Sequence, residues 1–305
     1  MTTYLIRRLG HSLLSLIAIT LVVYMMLNAS GDPATLLLPD TASAEAIAQV
    51  RRTLGLDAPL YLRYFRFLGN AVTGDLGDSF IYRQPALDIV LAHVPATAQL
   101  AFAGMAVALL ISIPLGVVAA RNHGRAIDKV VLGIALLGQS VPVFWLGMLA
   151  IMVFSVFLGW LPTGGRGTIW HFVLPGLTLG WFANGLIARL VRSCMLEVLN
   201  QDYIRTAHSK GLADTVVVLK HALRNAAIPV VTVAGLQLAA MMGGTVVTEI
   251  VFAWPGVGRL TLDSISGRDY PVAMAAILFI AFVFIIVNFL VDMLYTMIDP
   301  RVKFE

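Results

Sequence analysis

Six long apolar runs constrain the fold of this chain more than any other feature. The hydrocarbon core of a bilayer is about 30 Å thick, and a helix needs about 20 residues to cross it. Backbone polar groups in lipid must form hydrogen bonds within their own segment, so each run predicts a membrane-spanning α-helix. The sequence therefore predicts an all-α membrane protein with six transmembrane helices. The runs lie near residues 9–29, 97–120, 131–158, 172–190, 228–250 and 273–296.

The composition supports a membrane protein and excludes several other classes. Hydrophobic residues make up 59% of the 305 residues and charged residues 12%, whereas soluble proteins carry about 25% charged residues. Disordered chains are poor in apolar residues, and a disulfide scaffold is excluded because Cys194 is the only cysteine. The net charge of +4 is scattered between the apolar runs. This distribution favours basic cytoplasmic loops over a nucleic-acid-binding surface.

Two of the spans carry additional signals. The third run contains Pro142, which predicts a kink or tilt within one span. The first run follows Arg7 and Arg8 as a signal peptide would, but its apolar stretch is too long for a signal sequence. Leu27-Asn28-Ala29 is also a poor cleavage site, so we expect a retained first helix.

The distribution of Lys and Arg predicts how the helices are oriented. With the N-terminus in the cytoplasm, the cytoplasmic segments and the helix end at Arg189 hold 13 of the 21 Lys and Arg. Cytoplasmic loops are enriched in these residues, so both termini are predicted to be cytoplasmic. The chain then divides into an N-terminal helix (1–29), an extracytoplasmic segment (30–96) and a helical core (97–305).

The extracytoplasmic segment 30–96 has helical signals of its own. A helix over 44–54, capped by Thr41 or Ser43, is predicted to end at Gly55. The segment either shields the outer ends of the helices or contacts an extracytoplasmic partner, and the sequence favours neither. A second helix is predicted to start at Pro59. It carries Tyr61, Tyr64, Phe65 and Leu68 at helical spacing.

The cytoplasmic segment 191–227 carries the clearest pattern outside the membrane. Two short helices are predicted around a break, the first ending at a left-handed cap at Gly211 and the second capped by Asp214. Such an elbow either fixes topology through its positive charge or docks on a cytoplasmic partner. Its length and its two caps favour docking. Basic residues surround the break: Arg205, His208, Lys210, Lys220, His221 and Arg224.

Common catalytic motifs are absent from the sequence. No lysine belongs to a Gly-x4-Gly-Lys-Ser/Thr phosphate-binding loop, and there is no His-Glu-x-x-His zinc motif. The stretch Gly138–Pro142 approaches the Gly-x-Ser-x-Gly nucleophile motif but ends in proline. The sequence therefore predicts a non-catalytic protein that binds no metal or cofactor of its own, and it disfavours an intramembrane hydrolase.

Few polar side chains interrupt the spans. Gln139, Asn184 and Gln237 are the candidates for lining a translocation path, although each is equally suited to hydrogen-bonding a neighbouring helix. Ion-driven transporters usually place carboxylates near the bilayer midplane. The candidate carboxylate here, Asp292, lies close to the inner end of the last helix. A secondary transporter or channel working alone is therefore the alternative function.

The cytoplasmic loop contains two long motifs, Asp202–Gly211 and Leu219–Pro229, and shorter motifs occur in a fixed order along the rest of the chain. In this order the motifs resemble bacterial ABC-importer permeases of the dipeptide, oligopeptide and nickel type, and most of all the first of their two permease subunits. The loop departs from the broader importer pattern Glu-Ala-Ala, as is usual in the peptide branch, at Arg205-Thr206-Ala207 and at Arg224. The shorter motifs are Tyr4 to Leu9, Gly31-Asp32-Pro33, Leu54 to Tyr61, Gly74 to Gly77, Trp254 to Arg259, Arg268 to Val272 and Asp299-Pro300-Arg301.

This resemblance implies a type I ABC-importer permease fold, in the bacterial inner membrane, with a second homologous permease subunit completing the path. Two ATPase subunits would use ATP and Mg²⁺ beneath the permeases, each receiving a coupling helix that we place at about 207–215. A binding protein docked on 30–96 and 251–272 would deliver a dipeptide, oligopeptide, glutathione, nickel chelate or haem. The coupling residues implied are Arg205, Thr206, Ala207, His208, Lys210, Gly211, Asp214 and Arg224.

Overall fold

The computed structural model of this protein confirms the all-α prediction. Across the described residues the regular secondary structure is helical, with one isolated β-bridge between Asp78 and Pro85. Thr41 and the side chain of Asp292 lie outside the described part of the chain, so the structure tests neither prediction. The described residues are 2–29, 34, 38, 42–53 and 55–298.

The helices are labelled in chain order. The first six are α1 (Thr2–Ala29), α2 (Ala44–Thr53), α3 (Leu60–Val72), α4 (Ala86–Arg121), α5 (Ala126–Ser140) and α6 (Val143–Phe157). The next three are α7 (Trp170–Leu199), α8 (Asp202–Ser209) and α9, which joins Asp214–Val216, Val217–Ala222 and Leu223–Gly244. The last three are α10 (Val246–Val251), α11 (Val257–Ser266) and α12 (Tyr270–Ile298).

Five helices in the described ranges are long and apolar enough to cross a membrane, and the bent pair α5 and α6 makes a sixth if it is one span. The prediction of six spans is consistent with this count, but several boundaries differ. Helix α4 begins at Ala86 rather than near 97, and α7 continues to Leu199 rather than ending near 190. Both helices therefore extend beyond the apolar runs from which they were predicted.

The third apolar run is broken more sharply than predicted. Helices α5 and α6 meet at an angle of 101°, which is a break or a re-entrant turn rather than a kink. A proline disfavours the helical conformation of the residue before it, and Val141 accordingly has an extended backbone. Pro142 is also extended, with ψ of 134°, so two consecutive residues leave the helix and the chain turns.

The chain divides into two compact units, the first made mainly of 1–96 with 255–285 and the second of 97–254. In the first unit, the structure contains both helices that were predicted for segment 30–96. Ser43 Oγ accepts a hydrogen bond from the Ala46 backbone N–H at the start of α2, and Gly55 follows its end with φ of +65°. Tyr64 is the buried residue of α3.

A buried carboxylate ties two loops of the first unit together. Asp269 is fully buried and accepts hydrogen bonds from the Ser79 hydroxyl and from the backbone N–H of Phe80, the latter at 3.1 Å. A buried carboxylate is costly unless its oxygens are satisfied in this way. These bonds fix the turn before α4 against the loop between α11 and α12.

In the second unit, glycines let α4, α5 and α7 approach closely. A Cβ atom on Gly116 would lie 2.6 Å from Val191, and one on Gly185 would lie 2.3 Å from the Ala135 carbonyl oxygen. Gly180 is equally tight, with 2.7 Å to Val107, whereas Gly176 makes only ordinary contacts. Small residues at helix interfaces thus bring the backbones together, as in many membrane bundles.

Candidate functional site

The loop between α7 and α9, together with the first turns of α9, forms a compact elbow, defined here as residues 200–225. Helix α8 ends in a Schellman motif, in which the Gly211 N–H donates to the His208 carbonyl at 2.9 Å and the Leu212 N–H donates to the Ala207 carbonyl at 3.4 Å. Gly211 has φ of +75°, so its prediction as a left-handed cap is confirmed.

The coupling-helix bounds of about 207–215 do not match the helix in this loop. The short helix is α8, Asp202–Ser209, and most of 207–215 is the turn that follows it. The physical reason is Gly211, whose left-handed conformation cannot lie within a right-handed helix. Residues Met195, Leu196 and Leu199, within the segment 191–227 where the first short helix was predicted, belong to the end of α7.

The predicted cap at Asp214 is also wrong. Ala213 occupies the N-cap position of α9, and Asp214 is the first helical residue with no capping hydrogen bond from its side chain. Its carboxylate instead accepts a hydrogen bond from the Arg121 guanidinium at the end of α4. Asp214 therefore connects the elbow to a neighbouring helix rather than closing its own helix end.

A second hydrogen bond and a small apolar core hold the elbow in place. The Asn225 side-chain amide donates to the Tyr203 hydroxyl at 2.7 Å, which joins α8 to α9. Beneath this bond, the two helices bury a set of apolar side chains: Ile204, Ala207, Val217, Val218 and Ala222. The elbow is thus held by hydrogen bonds to α4 and between α8 and α9, and by the apolar side chains that these two helices bury. These contacts make it a rigid element.

The outer face of the elbow is basic and partly apolar. The Arg205 side chain is 78% exposed, and its guanidinium lies 3.8 Å from the Asp202 carboxylate. Ala207, in contrast to the other predicted coupling residues, is buried on the inner face of α8. Other exposed residues of this surface include Thr206, His208, Lys210, Gly211, Leu212, Val216, Leu219 and Arg224.

A buried ion pair supports the neighbouring region where α4 is followed by α5. Arg192 of α7 donates to both carboxylate oxygens of Asp128, from Nε at 2.6 Å and from Nη2 at 2.8 Å. The Gly124 backbone N–H donates to the same carboxylate at 2.9 Å, and Asp128 is 3% exposed. In the sequence, Arg192 contributes only to the distribution of Lys and Arg that predicts the topology, so this pair was not predicted.

The three predicted path residues lie in three different environments. Gln139 accepts a hydrogen bond from Arg189 at 2.8 Å, and fully buried Asn184 accepts one from Ser112 at 2.8 Å. Gln237 lines a cavity of about 310 Å³ together with Thr248. The structure therefore does not bring the three together, and only Gln237 borders this cavity.

Glu249 is a buried polar residue that was not predicted from the sequence. It is fully buried in α10, and its Oε1 accepts hydrogen bonds from the Thr97 hydroxyl at 2.7 Å and the Thr245 hydroxyl at 3.0 Å. Its helix begins after a break following Gly244, whereas the sequence predicted one continuous span over 228–250. The glycine pair at 243–244 was the signal for that break.

Two family profiles match this chain over most of its length. Residues 112–304 match the binding-protein-dependent transport system inner membrane component, and residues 1–101 match the N-terminal part of such membrane components. The chain is 44% identical over 306 residues to the glutathione transport system permease protein GsiC of Escherichia coli K12, covering all of both chains. The GsiC protein of Shigella flexneri serotype 5b is 43% identical with the same coverage.

Solved structures with the same fold are also ABC transporters. One inward-facing structure of the MetNI methionine ABC transporter aligns with a TM-score of 0.56 at 21% identity, covering 69% of this chain and 96% of that one. An amino acid ABC transporter with histidines aligns with a TM-score of 0.52 at 12% identity, covering 68% and 92%. At these identities the likeness concerns the fold. Taken with the profile matches and the full-length relatives, it places this chain in the family of inner-membrane components of binding-protein-dependent transport systems, the permease subunits of ABC importers.

Proposed function

We propose that this permease subunit forms half of the translocation path of an ATP-driven importer for peptides of about glutathione size, and that its elbow docks on an ATPase subunit. The substrate class rests on the glutathione permeases that share 44% identity over the full chain. A second, homologous permease subunit supplies the other half of the path. An extracytoplasmic binding protein selects and delivers the substrate.

The observation that carries the coupling role is the combination of rigidity and exposure in the elbow. Helix α8 is capped by Gly211 and joined to α9 through Tyr203, and Asp214 joins the start of α9 to α4, yet the outer face of the elbow is open. Arginine is enriched at protein interfaces relative to the rest of the protein surface. A rigid element transmits the movement of a docked partner, whereas a mobile loop would absorb it.

In this proposal the chain itself binds no cofactor. ATP and Mg²⁺ are used by the ATPase subunits, whose closure on ATP binding rocks the permease helices through the two elbows. The elbow must then lie in the cytoplasm, which requires both termini to be cytoplasmic, as the distribution of Lys and Arg predicts. A transporter working alone is not favoured, because the relatives and the family are components of multisubunit systems.

The reconstituted importer tests this function, with Arg205→Ala as the informative variant. Labelled glutathione uptake should require the ATPase subunits and the binding protein, and Arg205→Ala should weaken ATPase retention at least tenfold, or about 1.4 kcal/mol. The reason is that removing one member of a desolvated interfacial charge pair leaves its partner unsatisfied. Uptake and ATPase retention are measured on the same purified complexes in proteoliposomes.

Lys129→Ala is the matched control, since Lys129 is an exposed charge near the start of α5 that lies outside the elbow. It should retain the ATPases as the parent protein does. Substrate uptake by this chain without ATPases would contradict the importer. Unchanged ATPase retention in Arg205→Ala would leave Arg205 with a topological role only.

The proposed docking of the binding protein is testable through α2. This helix has no buried residue, so deleting 44–53 should remove a surface without disturbing the packing of α1 and α3. We expect stimulation of ATP hydrolysis by the binding protein to fall at least fivefold, while basal hydrolysis and subunit assembly stay unchanged. Full stimulation in the deletion variant would show that the binding protein docks elsewhere.

A further inference from the structure

The first unit contains an apolar groove that the transport proposal does not use. It encloses about 600 Å³ between α1, α3 and α12, within the size range of small-ligand sites. The spans that form its walls, Gly10–Ala29 and Tyr270–Phe289, are long and apolar enough to cross the membrane. Its lining includes Leu13, Leu16, Leu68, Ala71, Leu278 and Phe279.

A smaller cavity with polar groups lies next to the groove. It encloses about 160 Å³ and shares Leu76 with the groove. Arg63 lines it and donates from Nη2 to the Asn28 side-chain oxygen at 2.7 Å, which leaves other guanidinium N–H groups for a further acceptor. The Tyr270 hydroxyl also belongs to this cavity and is buried with no hydrogen-bond partner among the described residues.

Along α1 and α12, the small polar cavity lies at the helix ends and the apolar groove lies deeper. The headgroup and acyl chains of a lipid have the same order in a leaflet. Asn28 lies one residue from the end of α1, and Tyr270 is the first residue of α12. The groove residues Leu13 and Phe282 lie 15 and 12 residues further along these helices. At 1.5 Å per residue this places the apolar end about 20 Å from the polar end.

We propose that this composite site binds one phospholipid, with an acyl chain in the groove and a headgroup or ester oxygen at Arg63 and Tyr270. The groove is continuous with the surface that this membrane-embedded chain presents to lipid, since Leu14 is 65% exposed and Phe282 51% exposed beside it. The lipid comes from the leaflet at which α1 ends, the outer leaflet in the proposed orientation. An ester or phosphate oxygen satisfies the buried Tyr270 hydroxyl, which otherwise costs free energy.

The position of α3 places this helix beside the groove. The Tyr64 hydroxyl donates to the Ile17 carbonyl at 2.9 Å, so α3 is held against a transmembrane helix rather than projecting into solvent. Tyr61 and Phe65 remain exposed on α3. Aromatic residues of this kind favour the membrane–water interface, where they extend the lipid-facing surface around the groove.

The experiment uses the assembled importer in nanodiscs and a phosphatidylethanolamine that carries a diazirine in the middle of one acyl chain. We expect light-induced labelling of α1 and α3, and an at least fivefold loss of that labelling in Ala71→Trp, because the indole fills the groove. Asn70→Trp is the control, since Asn70 is exposed on the same helix and does not line the groove. It should label as the parent protein does.

Tyr270→Phe tests the polar end without changing side-chain volume, and it serves where Ala71→Trp does not assemble. We expect native mass spectrometry of the detergent-purified importer to show at least fivefold less retained phospholipid in Tyr270→Phe. Equal labelling in both tryptophan variants, or equal lipid retention in Tyr270→Phe, would overturn the proposal. A crosslink from Ala71→Cys to the second permease subunit, in place of lipid labelling, would show that a protein fills the groove.

Discussion

Gly211→Val is expected to lower substrate uptake per ATP hydrolysed at least tenfold, while the chain still inserts into the membrane. Gly211 has φ of +75°, a conformation that costs an L-residue about 1–2 kcal/mol and is worst for a β-branched side chain. Relief of that strain requires the Schellman motif to open, so that the Leu212 N–H leaves the Ala207 carbonyl. The elbow would then lose its defined direction. Proteoliposome uptake and ATP hydrolysis, measured together, give the coupling ratio.

Two control variants distinguish the effect of changing the elbow from the effect of straining the backbone at any glycine with a positive φ. Gly159 also has a positive φ, +64°, with nothing within 4 Å of an added Cβ, but it lies in the loop between α6 and α7. Gly159→Val should therefore cost similar strain without uncoupling transport. Gly211→Asn should keep most of the coupling, because asparagine is tolerated at left-handed caps. Normal coupling in Gly211→Val would mean that the geometry of this turn does not matter for transport.

Gly211 and Asp214 show which features of the elbow could be predicted from the sequence. Gly211 was predictable because a left-handed cap is a local event, decided by the residues that precede it. Asp214 was not, because its carboxylate is engaged by Arg121, 93 residues earlier in the chain. A side chain that can cap its own helix or pair with a distant charge is assigned by tertiary structure alone.

The membrane spans also contain features that are decided locally and features that are decided by tertiary contacts. Pro142 located the interruption of the third span, since proline acts on its own backbone and on that of the preceding residue. The 101° angle depends on how α5 and α6 pack against other helices, which hydropathy does not report. Glu249 was missed for a related reason, because its two threonine hydroxyl partners include Thr97 on a helix far away in sequence.

The second unit contains the ion pairs Arg192–Asp128 and Arg121–Asp214, both with direct hydrogen bonds between the charged groups. They should differ greatly in their contribution to the free energy of unfolding. Asp128 is 3% exposed and is held by two hydrogen bonds from Arg192. Arg121 and Asp214 have side chains that are 47% and 53% exposed. Solvent screens an exposed pair and reduces it to about 0–1 kcal/mol, whereas breaking a buried pair leaves an uncompensated charge and costs about 3–5 kcal/mol.

Arg192→Ala is therefore expected to lower the free energy of unfolding by about 3–5 kcal/mol, and Arg121→Ala by no more than about 1 kcal/mol. The measurement is denaturant unfolding of the purified chain in detergent, followed by tryptophan fluorescence. The double variant Asp128→Asn with Arg192→Ala should recover at least half of the loss, because a neutral amide still accepts the Gly124 N–H and leaves no buried charge. If Arg192→Ala and Arg121→Ala cost the same, burial does not decide the strength of these pairs. If the double variant recovers nothing, the loss comes from packing of the arginine side chain rather than from the orphaned carboxylate.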